Sequence, residues 1–127
     1  MTATNRFLLA AGAFALLLAT ALGAYGTHGL RGSISEASWA AYETAIAYQF
    51  YHGLGLLAVA IVLQRYPSCR WVAASGWLLL IGIVLFCGSI YATAFGAPAT
   101  IGSLAPLGGT AFMLGWLALA IAALRAR

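Results

Sequence analysis

Apolar residues fall in four long runs along this chain, parted by short breaks rich in arginine, glycine and proline. The first run extends from Phe7 to about Tyr25, and the second from about Ile46 to Leu63, before Gln64-Arg65-Tyr66-Pro67. The third opens at Trp71 and closes near Thr93, ahead of the turn sequence Gly96-Ala97-Pro98; the fourth runs from Pro106 to Leu124. A bilayer core of roughly 30 Å takes about 20 helical residues to cross, and each run approaches that length. Proline near the start of the fourth run suits a first helical turn, where its missing N–H costs nothing. The pattern predicts an all-α membrane protein: a single domain over residues 1–127, built as a four-transmembrane-helix bundle with spans 7–25, 46–63, 71–93 and 106–124.

The first run also resembles a secretory leader, with Arg6 ahead of it and small residues at Ala19-Thr20-Ala21. It is long for such a segment and continues past that site, so a retained helix is expected. The connection after it carries its own signal. Ser33-Ile34-Ser35-Glu36 reads as a capping box, with serine at the N-cap and glutamate three residues on. A helix starting there and running into the second span would reach about 45 Å, too long to stand inside the bilayer. Its first part is therefore expected as a short outer interfacial helix between helices 1 and 2, with Trp39, Tyr42 and Tyr48 in the aromatic belt.

Charge gives the expected orientation. The chain holds six arginines, two glutamates and neither lysine nor aspartate, and its charged fraction is 6%. A soluble domain carries roughly 25%, and the mean hydropathy of +0.98 agrees that lipid surrounds most of the chain. Arg6, Arg65, Arg70, Arg125 and Arg127 all fall on the side of the N-terminus, and only Arg31 falls opposite, beside Glu36 and Glu43. The positive-inside rule then sets both termini in the cytoplasm, N-in/C-in. The net charge of +4 is dispersed between apolar runs rather than gathered in a patch, so no nucleic-acid partner is expected. Cys69 and Cys87 lie in different segments and suggest neither a disulfide framework nor a thiolate metal site.

Small residues recur at helical spacing. Gly12, Ala15, Ala19, Gly23 and Gly26 mark one face of the first span, and Gly108, Ala111, Gly115, Ala118 and Ala122 one face of the fourth. Such stripes let helices approach closely in lipid, where no hydrophobic effect drives them together. Packing within the bundle is the expected use, ahead of a dimer interface.

Polar residues are few enough to place singly. Thr44, Tyr48 and His52 share one face at i, i+4 and i+8. His28 lies in Gly26-Thr27-His28-Gly29 after the first span, Glu43 before the second, and Ser89, Tyr91 and Thr93 at the end of the third. Together with Gln49 they define a candidate ligand-binding or structural polar cluster in the outer half of the bundle: His28, Glu43, Tyr48, Gln49, His52, Ser89 and Tyr91. An ionisable group inside a membrane is a functional candidate, but a histidine capped by a hydroxyl or a carbonyl is equally a satisfied core group. Both readings stand for His52. For His28 a cap on helix carbonyls is the simpler reading, and Glu36 reads as a helix cap.

Four motifs carry a family resemblance. They are Gly23-Ala24-Tyr25-Gly26-Thr27-His28, Tyr48-Gln49-Phe50-Tyr51-His52, Leu85-Phe86-Cys87-Gly88-Ser89-Ile90-Tyr91, and Pro106-Leu107-Gly108-Gly109-Thr110-Ala111-Phe112 with Gly115-Trp116. In this order they resemble the YgdD/YwdK-like family of small bacterial inner-membrane proteins, domain of unknown function 423, to which the eukaryotic transmembrane protein 256 is related. Cys87 departs from the serine of the family's Phe-Ser-Gly-Ser pattern. The resemblance implies a multi-pass protein of the bacterial inner membrane with four transmembrane helices, and no established activity, cofactor or partner.

Chemistry narrows the rest. His28, Glu43 and His52 offer nitrogen and oxygen donors that zinc or copper accepts, but their spacing matches no recognised site, so no metal is expected. Axial haem ligation by the two histidines conflicts with the tight packing that the small-residue stripes imply. No Ser-His-Asp set, HExxH motif, paired intramembrane aspartates or phosphate loop is present, so neither catalytic residues nor a cofactor are expected. The expected function is that of a non-enzymatic accessory or lipid- or small-molecule-binding protein. Its partners would be membrane lipids, with a small molecule or another membrane protein as the further candidates. The alternative is a component of an oligomeric transporter or channel.

Overall fold

A computed structural model describes residues 1–126 as helices joined by short turns. Helix α1 spans Ala3–Tyr25 and runs on through a π turn, Gly26–Leu30, and a 3-10 turn, Arg31–Ser33. Helix α2 spans Glu36–Arg65. Helix α3, Arg70–Gly82, passes through a second π turn, Ile83–Cys87, into the short α4, Gly88–Ala94. A 3-10 turn, Ala99–Leu104, leads to α5, Ala105–Arg125, with Pro106 in its first turn. Four of the resulting helical stretches are long and apolar enough to cross a membrane. Arg127, one of the five arginines expected on the side of the N-terminus, lies outside the described residues.

Local chemistry fixes the helix ends. The Thr2 hydroxyl accepts the backbone N–H of Asn5 at 3.1 Å and starts α1. Between α1 and α2 the structure corrects the sequence expectation twice. Ser35, not Ser33, caps α2, its Oγ accepting the N–H of Ser38 at 3.1 Å, while Ser33 turns back to donate to the Leu30 carbonyl at 2.9 Å. Glu36 becomes the first residue of the helix, where its negative charge suits the positive dipole end. Nor is there a separate short helix before the second span: α2 is continuous over its 30 residues, without a break at Glu43. Every backbone N–H after the first turn then finds its partner inside the helix, and nothing in Trp39 to Gln49 withdraws a donor or forbids helical dihedrals.

The stop after α4 is a Schellman motif. Gly96 takes a left-handed conformation, φ +103, and its N–H donates to the Thr93 carbonyl while that of Ala97 donates to Ala92. Only glycine adopts that angle freely, and Pro98 follows where a helix cannot continue.

The helices run up and down. Asn5 meets Ala60, Ala15 meets Gln49 and Leu22 meets Tyr42, so α1 and α2 are antiparallel. Leu79 lies against Gly115 and Phe86 against Gly108, so α3 and α5 are antiparallel as well. Leu8 touches Gly76 and His52 stacks on Phe112, which brings α1 beside α3 and α2 beside α5. Val59 lies near Gly76 and the Cys87 thiol meets the Ala45 carbonyl, so α2 also packs against the third span, and α2 and α3 are the inner pair. Their apolar stretches are 44% and 39% buried, against 22% and 33% for the outer two. One end of the bundle gathers Arg6, Arg65, Arg70 and Arg125, and Arg31, Glu36 and Glu43 gather at the other.

The small-residue stripes face inward. Gly12, Ala15, Ala19 and Gly26 are buried, as are Gly108, Ala111, Gly115, Ala118 and Ala122. A Cβ on Gly12 would come within 3.0 Å of the Gly53 carbonyl and the Leu56 Cβ. On Gly108 it would overlap the backbone of Phe86. These are backbone contacts that a larger residue could not permit.

Candidate functional site

Gln49 sits near the middle of α2 and is 3% exposed, so its amide must be satisfied by protein. Its Nε2 donates to the Ala15 carbonyl of α1 at 2.8 Å, and its Oε1 accepts the Tyr91 hydroxyl from α4 at 2.6 Å. One side chain thereby ties together the first three spans. Tyr91 is held in turn by its ring, whose centroid lies 5.4 Å from that of Tyr42 in an edge-on arrangement at 63°. The Tyr42 hydroxyl donates to the Leu22 carbonyl, and the Cys87 thiol donates to the Ala45 carbonyl at 3.3 Å. Each of these bonds joins two helices and each donor is buried. The group is a lock between spans.

His52 lies three residues beyond Gln49, rotated by about 60° around the helix, and so faces α5 instead. Its ring stacks on Phe112 with centroids 3.5 Å apart and planes 10° apart, with Trp116 at 5.9 Å and Tyr48 at 5.7 Å. Its Nδ1 lies 2.7 Å from the Tyr48 carbonyl of its own helix. A carbonyl only accepts, so in the neutral ring Nδ1 carries the proton and Nε2 presents a lone pair. Among the described residues the ring makes that one hydrogen bond. Tyr48, stacked on Phe86 at 5.0 Å, and Tyr51 are exposed on the same side. Aromatic rings surround this histidine, and its Nε2 is left as an unused acceptor.

The sequence-derived cluster therefore divides. Gln49 and Tyr91 come together, and His52 and Tyr48 come together, on different sides of α2. His28 is exposed in the π turn after α1 and takes part in neither group. Glu43 is exposed and lines a groove of about 230 Å³ with Gly23, Thr27, Trp39 and Tyr42. Ser89 is buried, but its hydroxyl donates to the Phe86 carbonyl at 3.0 Å, a bond internal to its own span. Residues at one depth need not meet when they point to different sides of a helix, and this is why one cluster becomes two. Among the described residues no group of three or more His, Cys, Asp or Glu side chains could hold a metal ion.

Asn5 is the residue that sequence reasoning missed most plainly. It is 1% exposed, and its Nδ2 donates to the Ala60 carbonyl of α2. A signal was present: the stripe of Ala19, Ala15 and Gly12, carried toward the N-terminus at the same spacing, arrives at Leu8 and then Asn5. Tyr42, expected in an interfacial belt, is 1% exposed inside the bundle.

Comparison with known proteins places these residues in a family. A family model described as a protein of unknown function (DUF423) matches residues 22–109, a stretch containing Tyr42, Gln49, His52, Cys87 and Tyr91. The UPF0382 membrane protein YwdK of Bacillus subtilis (strain 168) is 40% identical over 114 residues, covering 90% of this chain and 93% of its own. The UPF0382 membrane protein SERP0230 of Staphylococcus epidermidis is 41% identical over 115 residues, 90% of this chain and 92% of its own. A UPF0382 membrane protein of Haemophilus influenzae is 38% identical over 107 residues, 84% and 85% of the two chains. No solved structure matches. With its apolar helices, its four motifs and similarity over most of its length, the chain belongs to the DUF423 family of membrane proteins.

Proposed function

We propose that this protein is a non-enzymatic protein of the bacterial inner membrane, with both termini cytoplasmic, that binds a lipid or small amphiphile carrying a hydroxyl group against the aromatic rings around His52. The observation that carries the reading is the unused Nε2 lone pair of a histidine stacked on Phe112, with Tyr48 to one side and Tyr51 exposed nearby. A hydroxyl arriving from the lipid side can donate to that nitrogen while its apolar body lies against the rings. An imidazole nitrogen that faces lipid without a partner leaves about 1–3 kcal/mol of hydrogen bonding unmade, so a donor arriving there is favoured. Binding rather than passage is supported by the interior, where Gln49, Tyr91, Tyr42 and Cys87 are taken up in bonds between helices. Helical spans, as opposed to a β-barrel, suit the inner membrane, and the arginine-bearing end suits its cytoplasmic face.

The test is His52→Phe, which keeps the stack on Phe112 and removes the nitrogen. Mass spectrometry of molecules released from the detergent-purified protein should find a species in the wild type that the variant lacks. The delipidated proteins should melt within a degree or two of one another. A variant that retains every co-purifying molecule would refute the reading, and a large loss of stability in the delipidated state would assign His52 a structural part instead.

A further inference from the structure

At the arginine-bearing end, the turn between α2 and α3 and the last turn of α5 border an open cavity of about 710 Å³, lined by Ser68, Cys69, Arg70, Trp71, Ala74 and Arg125. Two of those six residues are cationic. Both glutamates of the chain, Glu36 and Glu43, belong to the opposite end of the bundle, so among the described residues no side-chain carboxylate neutralises either guanidinium. Arg125 reaches across from α5 to lie over the Trp71 ring, its Cζ 5.3 Å from the centroid. A guanidinium resting on an aromatic face is held in orientation by the ring's quadrupole, and its edge N–H donors stay free to meet an acceptor in plane. Arg70 opens α3, and no side chain caps that helix start. The unpaired N–H groups of the first turn and the positive end of the helix dipole therefore add to the charge of the two arginines.

We propose that this cavity is a headgroup site for an anionic glycerophospholipid, whose phosphate lies between Arg70 and Arg125. Its volume is of the size that holds a small organic group, within a usual range of about 300–1,000 Å³. Its depth in the bundle suits a headgroup: it lies where α3 begins and α5 ends, with Trp71, exposed, in the position of an interfacial aromatic. Trp71 and Ala74 form the apolar wall along which acyl chains would leave. Planar guanidinium forks match phosphate oxygens two at a time, and basic pockets between spans are a known mode of anionic-lipid recognition. The other arginines at this end are differently placed. Arg65 lies over its neighbour Tyr66 at 5.6 Å, and neither it nor Arg6 lines the cavity.

Arg6 and Arg65 supply the control. Full-length protein in detergent is delipidated and titrated with phosphatidylglycerol, phosphatidylcholine or inorganic phosphate, and the bound stoichiometry is read by native mass spectrometry. One phosphatidylglycerol is expected to bind the wild type in clear preference to phosphatidylcholine. Arg70→Gln with Arg125→Gln should weaken it by at least about tenfold, the scale of one charge-assisted hydrogen bond. Arg6→Gln with Arg65→Gln, which removes the same charge from the same end, should change it by less than about threefold. Equal losses in the two double variants would overturn the proposal, since charge alone would then suffice. Equal binding of phosphatidylcholine would overturn it too, as would inorganic phosphate that binds alone and displaces the lipid, which would make free phosphate the ligand. If the first double variant melts early, Arg125→Lys decides. It keeps the charge and loses the planar fork, and phosphatidylglycerol affinity equal to that of the wild type would also refute the site.

Discussion

Replacing Gln49 by methionine tests whether its amide is the lock between the first three spans. Methionine has nearly the same length and no hydrogen-bonding amide, so packing changes little. Two bonds are lost: Nε2 to Ala15 at 2.8 Å and the Tyr91 hydroxyl to Oε1 at 2.6 Å. Bonds between membrane helices average about 0.6 kcal/mol each. The larger effect is the orphan left behind, because the Tyr91 hydroxyl remains buried with no acceptor, at a cost of about 1–3 kcal/mol. The Ala15 carbonyl loses less, since it keeps its place in the α1 ladder. Gln49→Met should therefore destabilise by about 2–4 kcal/mol. Tyr91→Phe alone strands Oε1 and should cost about 1–3 kcal/mol. The double variant strands neither group and should fall well short of the sum of the two singles, near the value of the lost bonds alone, about 1 kcal/mol. Reversible unfolding in mixed micelles, followed by tryptophan fluorescence, measures all four proteins. Strict additivity would show that the two side chains do not act as a pair, and the reasoning would fail.

Gly82→Ala drives a methyl group into the Phe112 ring and to 3.0 Å from the Gly108 carbonyl, and should destabilise by about 1–3 kcal/mol in the same assay. Gly109→Ala meets nothing within 4 Å and should be neutral or stabilising by up to about 1 kcal/mol; equal effects at the two sites would contradict the packing described. Ser75 is fully buried and its Oγ has no partner among the described residues, so Ser75→Ala should leave the melting point unchanged or raise it, and a clear drop would reveal a partner for that hydroxyl. The two cysteines report orientation, Cys69 being partly exposed at the arginine-bearing end and Cys87 buried. A membrane-impermeant maleimide should leave intact cells unlabelled and label Cys69 after permeabilisation, while Gly32→Cys, at an open position of the opposite end, should label in intact cells; the reverse pattern would invert the topology.

The number of spans was legible because lipid asks for apolar length and little else, and the runs ending at Tyr25, Leu63, Thr93 and Leu124 supply it. The packing faces were legible too, since close approach needs Gly12, Ala15 and Ala19 on one helix and Gly108, Ala111 and Gly115 on another. The start of α2 was harder. Ser33 and Ser35 are both able caps, and the choice fell to the one whose hydroxyl could reach the N–H of Ser38 while the other closed the preceding turn. Pairings such as Gln49 with Tyr91 bridge 42 residues and depend on helix rotation, which an almost wholly apolar span leaves unmarked. His52 shows the same difficulty. Its spacing from Tyr48 was plain, but its direction toward Phe112 was set by α5, distant in sequence.

The π turn at Ile83–Cys87, where the Gly88 N–H reaches back to the Ile83 carbonyl, makes the third span sensitive to phase as well as to length. The buried positions of the third span are Val72, Ser75, Gly76, Leu79 and Gly82 in α3, Ile83 and Cys87 in the π turn, and Ser89 and Tyr91 in α4. One extra residue has been absorbed in the winding. A deletion inside the π turn can be taken up by rewinding to an α-helix, but a bilayer would scarcely register one placed earlier, between Arg70 and Gly82, a change of about 1.5 Å in length, and everything after it would turn by about 100°. Tyr91 would leave Gln49, and Cys87 would leave Ala45. In a lineage of such proteins, insertions and deletions should thus be absorbed in the connections near Tyr66 to Ser68 or Gly96 to Gly102. Inside the third span, hydropathy alone would wrongly judge them harmless.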